Sequence, residues 1–391
     1  MKVVIAMDSF KGSISSIDGS KAIASGIKEI YSEADIIRLP LADGGEGIVD
    51  ILVEETGGYF NKLKVTGPLG KKVDAVYGIL GNGKTAVIEI ASACGLPLVA
   101  QSKRNPLVTT TYGVGELIEN ALNKGCTDFI IGLGGSATND AGIGMLQALG
   151  YRFLDQNSQD VEFGGSALKI ISQIVTENIH PKLRFSSFKV ACDVDNPLYG
   201  PNGAAHIFGP QKGASKESVK ELDDGLKHFS IIVREQMGID IQDQKGAGAA
   251  GGLGGAFSGF LNSNLESGIE VVLDAVQFEK HLAGADFVIT GEGKLDGQTS
   301  MGKAPLGVAK IARKYNVPVI ALAGGVTKEA FKLNEAGISA YFSIMNAPMT
   351  LKEAMDYETV YENLHLTSKQ LFRLIKVVKG EKESFVESIE F

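Results

Sequence analysis

Nothing in the chain supplies a positive field: 38 Lys and Arg stand against 46 Asp and Glu, a net charge of −8. Nucleic-acid phosphates and anionic membrane surfaces are therefore poor partners, although one local basic pocket for a small anion is compatible with this balance. Cysteine is scarce as well. Cys94, Cys126 and Cys192 are odd in number, far apart and outside any CxxC spacing, which argues against a disulfide framework or a zinc site and fits a reducing cytoplasm. The five histidines, at 180, 206, 228, 281 and 365, show no HExxH or other paired spacing, so structural or surface roles are their default. No apolar run approaches the ~18–20 residues that span a bilayer, and the opening KVVIAM is too short for a signal-peptide core. The absence of GxSxG leaves a hydrolase elbow unsupported.

Glycine, in contrast, is abundant, at 49 of 391 residues in a chain that is 44% hydrophobic and 21% charged. Many positions must need open φ/ψ space or close approach to a ligand. The length suggests two or three folded units at about 100–200 residues each, and two is the working count. KVVIAM, a helical pattern over 15–31 and IIRLPL read as strand, helix, strand, each strand followed by a polar loop. GEGIVDILVEETGG continues as a helix closed by Gly57-Gly58. The texture changes near Gly67, where VDAVYGIL and TAVIEIA flank Gly81-Asn82-Gly83 as a hairpin. A helix over 112–124, the strand FIIGL, a helix to Leu149, the strand FKVACDV and a polar helix over 215–237 follow. From Asp286 the α/β rhythm returns, with DFVITGEGKLDGQ and VPVIALAGG as strands running into loops, a helix over 305–315 between them and a last helix over 368–378. The simplest architecture is a discontinuous α/β domain, 1–67 plus 281–391, with a second α/β domain, 68–280, inserted into it. No repeat of solenoid period is present.

Two formal motifs mislead. GILGNGKT satisfies GxxxxGK[ST], but a phosphate-cradling loop must open a helix, and AVIEIA is β-like. GAGAAG at 246–251 matches GxGxxG, yet DIQDQK before it is a poor buried strand and no acidic residue completes a dinucleotide unit. The glycine density of GAGAAGGLGGAFSGF weakens a helix there and leaves a ligand-hugging loop or a flexible connector open.

Five loops that follow apolar strands combine glycine with carboxylate, hydroxyl or lysine: DSFKGS (Asp8, Lys11, Ser13), ADGGEG (Asp43, Glu46), GGSATNDAG (Ser136, Thr138, Asn139, Asp140), CDVDNPLYG (Asp193, Asp195, Asn196) and TGEGKLDGQT (Glu292, Lys294, Asp296, Thr299). Each alone could be a turn former or a helix cap. Together, at the carboxyl ends of strands where α/β sheets bind ligands, they carry the ingredients of phosphoryl transfer. Glycine lets backbone N–H groups approach phosphate oxygens, lysine neutralises charge, and carboxylates hold Mg²⁺ or accept a hydroxyl proton.

In MDSFKGS, PLADGGEG, IEIASACGL, TTYGVGELI, GLGGSATNDAGIGMLQALG, CDVDNPLYGPNGAAHIFGPQKGA, GAGAAGGLGGAF and VITGEGKLDGQTSMGKAP, in that order, the sequence resembles the bacterial glycerate kinase family of the two-domain type, unrelated to the P-loop kinases. The resemblance runs through nearly the whole chain. It implies a discontinuous Rossmann-like parallel-sheet domain with an inserted α/β domain, ATP and Mg²⁺ as cofactors, and D-glycerate as acceptor, with 2-phosphoglycerate as the preferred product. A 3-phosphate product and another small hydroxy acid are the alternatives within the fold, and a non-catalytic small-anion sensor the alternative outside it. So many carboxylates serve an anion sensor badly unless metal is also bound. The expected partners are D-glycerate and ATP, with no nucleic acid or membrane; a homodimer is left open.

The chemistry of the loops then distributes roles. Lys11, Lys294 and the backbone of Gly134, Gly135 and Ser136 should surround phosphates or the glycerate carboxylate, since both are anions. Asp8, Ser13, Asn139, Asp140, Glu292 and Thr299 complete the binding set. Asp43 and Glu46, or Asp193 with Asp195, should hold magnesium. Asp296 is the first choice for the base, two residues past a lysine and flanked by glycine-bearing loop, and Asp193 the second.

Overall fold

The computed structural model describes residues 1–42, 47–296 and 303–381. Asp43, Glu46 and Thr299 lie outside the described residues. Thirteen strands follow along the described chain: β1 (Lys2–Ile5), β2 (Asp35–Arg38), β3 (Tyr59–Thr66), β4 (Lys72–Ile79), β5 (Thr85–Glu89), β6 (Asp128–Gly132), β7 (Arg152–Leu154), β8 (Gln173–Val175), β9 (Ser187–Ala191), β10 (Asn264–Glu266), β11 (Phe287–Leu295), β12 (Val319–Val326) and β13 (Ala340–Ser343). They fall into two compact units, one made of Met1–Asp43 and Leu273–Phe391, the other of Gly44–Val272. The expected α/β class, with a discontinuous parallel-sheet domain interrupted by a second α/β domain, is what the chain forms. No described helix is long and apolar enough to cross a membrane.

In the discontinuous unit all five strands are parallel, in the order β13-β12-β11-β1-β2. Parallel strands covered on both faces need continuous apolar runs, which KVVI and FVIT supply. Ser15 starts the helix Ser16–Lys28 by accepting a hydrogen bond from Asp18 N at 3.0 Å. That helix buries Ala22, Ile23 and Ile27, and Gly26 lets the helix Tyr357–Val378 approach it. A Cβ at Gly26 would sit 2.3 Å from both the His365 carbonyl and the Ser368 hydroxyl. Val3, Ile5, Ile289, Leu322, Leu364 and Phe372 fill the core between these elements.

The inserted unit carries the order β10-β9-β6-β5-β4-β3, with β5, β6, β9 and β10 parallel and β3-β4-β5 antiparallel. Phe129 and Phe188, register partners on β6 and β9, stack with ring centroids 4.7 Å apart inside the core. GILGNGKT is the expected hairpin: Asn82 Oδ1 accepts from Lys84 N at 2.9 Å and Thr85 N at 3.0 Å, and AVIE continues as β5. No helix follows to receive a phosphate there.

Three features depart from the sequence reading. β3 pairs along its whole length with β4, and Val53 of the helix Ile48–Thr56 packs over Gly78, so both elements enter the second sheet ahead of Gly67. The buried stripe of that helix would look the same over either sheet. β11 and β12 run on through Leu295 and Val326, placing Glu292 and Lys294 on a strand and not in a loop. The last helix begins at Tyr357, capped by Asp356 and buried through the narrow stripe Val360, Leu364 and Phe372.

GAGAAGGLGGAF is neither a flexible connector nor only a ligand loop. Its glycines allow backbone to press on backbone: a Cβ at Gly251 would lie 2.0 Å from the Thr138 carbonyl, and the chain then forms the helix Leu253–Phe260.

Candidate active site

β1 and β11 are neighbours, but the chain leaves β1 toward β2 and leaves β11 toward β12, on the other side. Loops that diverge in this way open a crevice at the carboxyl ends of the strands. A cavity of about 680 Å³ lies there, bordered by Asp8, Lys11 and Ser13 after β1, Glu292 and Lys294 on β11, and Lys303. Its other wall is apolar, built by Met345, Met349, Leu351, Met355 and Val360.

The charged wall is fixed locally. Asp8 Oδ1 accepts from Ser9 N at 2.6 Å, Lys303 Nζ stands 3.5 Å from Glu292 Oε2, and Lys294 Nζ stands 3.4 Å from Asp296 Oδ2. Asp8 and Glu292 are each only 7% exposed. The buried hydroxyl of Ser13 has no hydrogen-bond partner among the described residues. Three cations, two enclosed carboxylates and an orphan hydroxyl make a wall suited to a polyanion carrying a cation.

The inserted unit holds a second, smaller cavity of about 230 Å³. It lies beyond the ends of the adjacent parallel strands β6 and β9, between Gly134–Ser136, Cys192–Val194, Lys212 and Ala249-Ala250. Gly135 takes φ +68°, and the loop is held by Leu96 N donating to Gly135 O at 2.8 Å and Ala137 N donating to Cys94 O at 2.8 Å. Those bonds leave the N–H groups of Gly134, Gly135 and Ser136 without a backbone acceptor among the described residues. Successive free N–H groups around a left-handed residue form an anion-binding concavity.

Lys212 is the unexpected member of this wall. It is 2% exposed, and its ammonium donates to Ser136 Oγ at 2.8 Å and Thr138 O at 2.7 Å. Burial pushes its pKa down to about 8, against the opposing influence of Cys94 and Asp140. Asp193, on the same wall, is oriented by Gly268 N, which donates to its Oδ1 at 2.8 Å. Burial pushes the Cys94 and Cys192 thiols up to about 12 and about 11, so neither is a thiolate nucleophile near neutral pH.

The structure thus gathers Asp8, Lys11, Ser13, Glu292 and Lys294 on one cavity and Gly134, Gly135, Ser136 and Asp193 on the other. Asp296 lines neither and pairs with Lys294. Asp195 is exposed, 3.7 Å from Lys245. Asn139 and Asp140 are fully buried behind the Gly134–Ser136 loop. Asp140 Oδ2 accepts from Thr111 N at 2.8 Å and Thr111 Oγ1 at 2.9 Å, and Oδ1 from Gly142 N at 3.2 Å; burial raises its pKa and these bonds oppose the rise. It anchors the loop and lines neither cavity.

No group of three or more His, Cys, Asp or Glu among the described residues could hold a metal by itself. Mg²⁺ needs only one or two carboxylates when phosphates supply the rest, and Asp8 and Glu292 fit that demand. Sequence reasoning passed over Lys212, Lys303 and the methionine wall. The signal for Lys212 was its place between Gly209 and Gly213 in GPQKGA, a lone lysine in a segment with no polar periodicity of its own.

Comparison with known proteins places the chain in a wider group. The model of the glycerate kinase family matches residues 3–376. The chain is 47% identical to the glycerate 2-kinase of Escherichia coli K12 over 371 residues, 95% of this chain and 97% of that one. It is also 47% identical to a glycerate kinase of Bacillus subtilis 168 over 379 residues, 97% and 99% of the two chains. A crystal structure of a candidate glycerate kinase 2 from Salmonella typhimurium LT2 superposes with a TM-score of 0.89 at 44% identity, covering 97% of this chain and 99% of that one.

Proposed function

Because the chain belongs to the glycerate kinase family, we propose that it transfers the γ-phosphoryl group of MgATP to the 2-hydroxyl of D-glycerate. The observation that carries the reading is the pair of cavities at strand carboxyl ends, one large with a cationic and an apolar wall, the other small and built around a buried lysine.

The larger cavity suits the nucleotide. Its volume of about 680 Å³ falls within the roughly 300–1,000 Å³ of sites for drug-sized ligands, and 230 Å³ falls below it. Flexible methionines fit a flat apolar base, and Lys11, Lys294 and Lys303 offset the charge of a triphosphate. Asp8 and Glu292 would hold Mg²⁺ beside the phosphates, where the ion offsets the charge that builds during transfer. Asp296 acts through Lys294, 3.4 Å away, holding that ammonium on the wall.

The smaller cavity suits the three-carbon acid, and Asp193 is its carboxylate for proton transfer. The acid's hydroxyl oxygen forms a bond to the γ-phosphorus as the bond from that phosphorus to the β,γ-bridging oxygen breaks. The hydroxyl proton passes to Asp193 and ADP leaves. Positioning and charge stabilisation supply most of the rate, as in phosphoryl transfer generally. The 2-hydroxyl is favoured because the Escherichia coli relative is named a glycerate 2-kinase. The test is ADP release with MgATP and each of several small hydroxy acids. D-glycerate should give the highest kcat/KM, and no acid-dependent release from folded protein would remove the reading.

A further inference from the structure

Lys212 presents a problem that its own surroundings do not solve. A buried ammonium is costly unless paired, yet its two protein contacts, Ser136 Oγ and Thr138 O, are neutral oxygens, and no carboxylate pairs with it among the described residues. Asp140, the buried carboxylate that acts on it electrostatically, spends its oxygens on Thr111 and Gly142. An ammonium has three N–H donors, so one is left for the cavity that Lys212 lines. On the same wall stand the N–H groups of Gly134, Gly135 and Ser136. A cluster of donors of this kind suits an anion.

We propose that Lys212 and the Gly134–Ser136 backbone form the binding site for the carboxylate of the three-carbon acid, an inference that rests on the kinase reading above. A compact carboxylate fits a cavity of about 230 Å³, in which one ammonium and a cluster of N–H groups converge. Asp193, fixed by Gly268 N, then meets the hydroxyl end of the same small molecule. The carboxylate is thereby the specificity handle: a substrate lacking it leaves Lys212 buried and unpaired, and sites built around a polar partner reject such analogues strongly.

The ammonium form binds the anion, so the sign of the pH dependence follows. Free Lys212 loses its proton at about 8. Affinity for the acid is therefore level below that pH and falls about tenfold per unit above it, until the pKa of the occupied site is reached. The titratable groups facing Lys212 are Cys94 and Asp140 behind it and Cys192 and Asp193 on the wall. The thiols titrate at about 12 and about 11, above this window, and burial raises the Asp140 carboxyl from its ordinary value.

The experiment is calorimetric titration of the full-length protein with D-glycerate and, separately, with glycerol, the neutral analogue, followed by steady-state kinetics. Lys212→Met should weaken D-glycerate binding about tenfold to a hundredfold, the loss of one charge-assisted contact, while the KM for ATP and the weak affinity for glycerol stay within about twofold. Equal loss for glycerol, or loss confined to ATP, would overturn the assignment, since either makes Lys212 a structural peg or a nucleotide ligand. Should Lys212→Met fail to fold, the wild type decides: D-glycerate affinity must break near pH 8 with proton uptake, and a pH-independent affinity up to about pH 9.5 refutes the site. Wild-type turnover with no effect of Lys212 overturns this inference alone; absent turnover removes the kinase reading, and direct binding of glycerate still decides the site.

Discussion

Asp140 lends itself to a quantitative test, because it lies behind the Gly134–Ser136 loop and is fully buried. Replacing it with alanine strands two backbone donors, Thr111 N and Gly142 N, and removes the acceptor of the Thr111 hydroxyl. At about 1–3 kcal/mol for each orphaned buried donor, the two backbone N–H groups alone give an expected loss of about 2–6 kcal/mol. Relief of the burial penalty on the carboxylate, which raises its pKa, moves the figure toward the lower half. Asp140→Asn keeps the Oδ1 acceptor but turns an amide donor toward Thr111 N and Oγ1, so it should lose about half as much. The chain has no tryptophan, so urea unfolding is followed by far-UV circular dichroism, with the slope of the transition checked for constancy. A change of less than about 0.5 kcal/mol in Asp140→Ala would refute the reasoning, because surface-like tolerance is incompatible with an enclosed three-bond anchor.

Three further outcomes are expected. Asp193→Asn should lower kcat about a hundredfold or more while circular dichroism is unchanged, and near-normal turnover would remove Asp193 as the proton acceptor. Lys294→Ala should raise the KM for ATP and leave that for D-glycerate within about twofold; the reverse pattern would exchange the ligands of the two cavities. Gly26→Ala gains about 1 kcal/mol of helix propensity but places a Cβ 2.3 Å from the His365 carbonyl, a backbone atom that cannot swing aside. A net loss of about 1–3 kcal/mol is expected on thermal or urea unfolding, and a stabilised variant would contradict the close helix packing.

The strands were legible where burial on both faces wrote continuous apolar runs, as in KVVI and FVIT, and the Asn82-Gly83 turn announced its hairpin. The point at which the chain passes between sheets was not legible, since the apolar stripe of Ile48–Thr56 carries no mark of which sheet it covers. Among site residues, those tied to glycine-bearing loops stood out, and Asp8, Lys11 and Asp193 do line cavities. Asp140 and Asp193 look alike in sequence, each in a loop after an apolar strand, yet one is an enclosed anchor and the other a wall residue. Lys212 carried only a faint mark, its place in the glycine-bearing GPQKGA, because what distinguishes it is burial without a counter-ion, a property of packing and not of spacing.

The central claim is tested most directly by incubating the protein with MgATP and D-glycerate and following the products by phosphorus NMR. Stoichiometric ADP and 2-phosphoglycerate are the predicted result. Formation of 3-phosphoglycerate would contradict the assigned hydroxyl, and the absence of any phosphorylated acid from folded, nucleotide-binding protein would contradict the account as a whole.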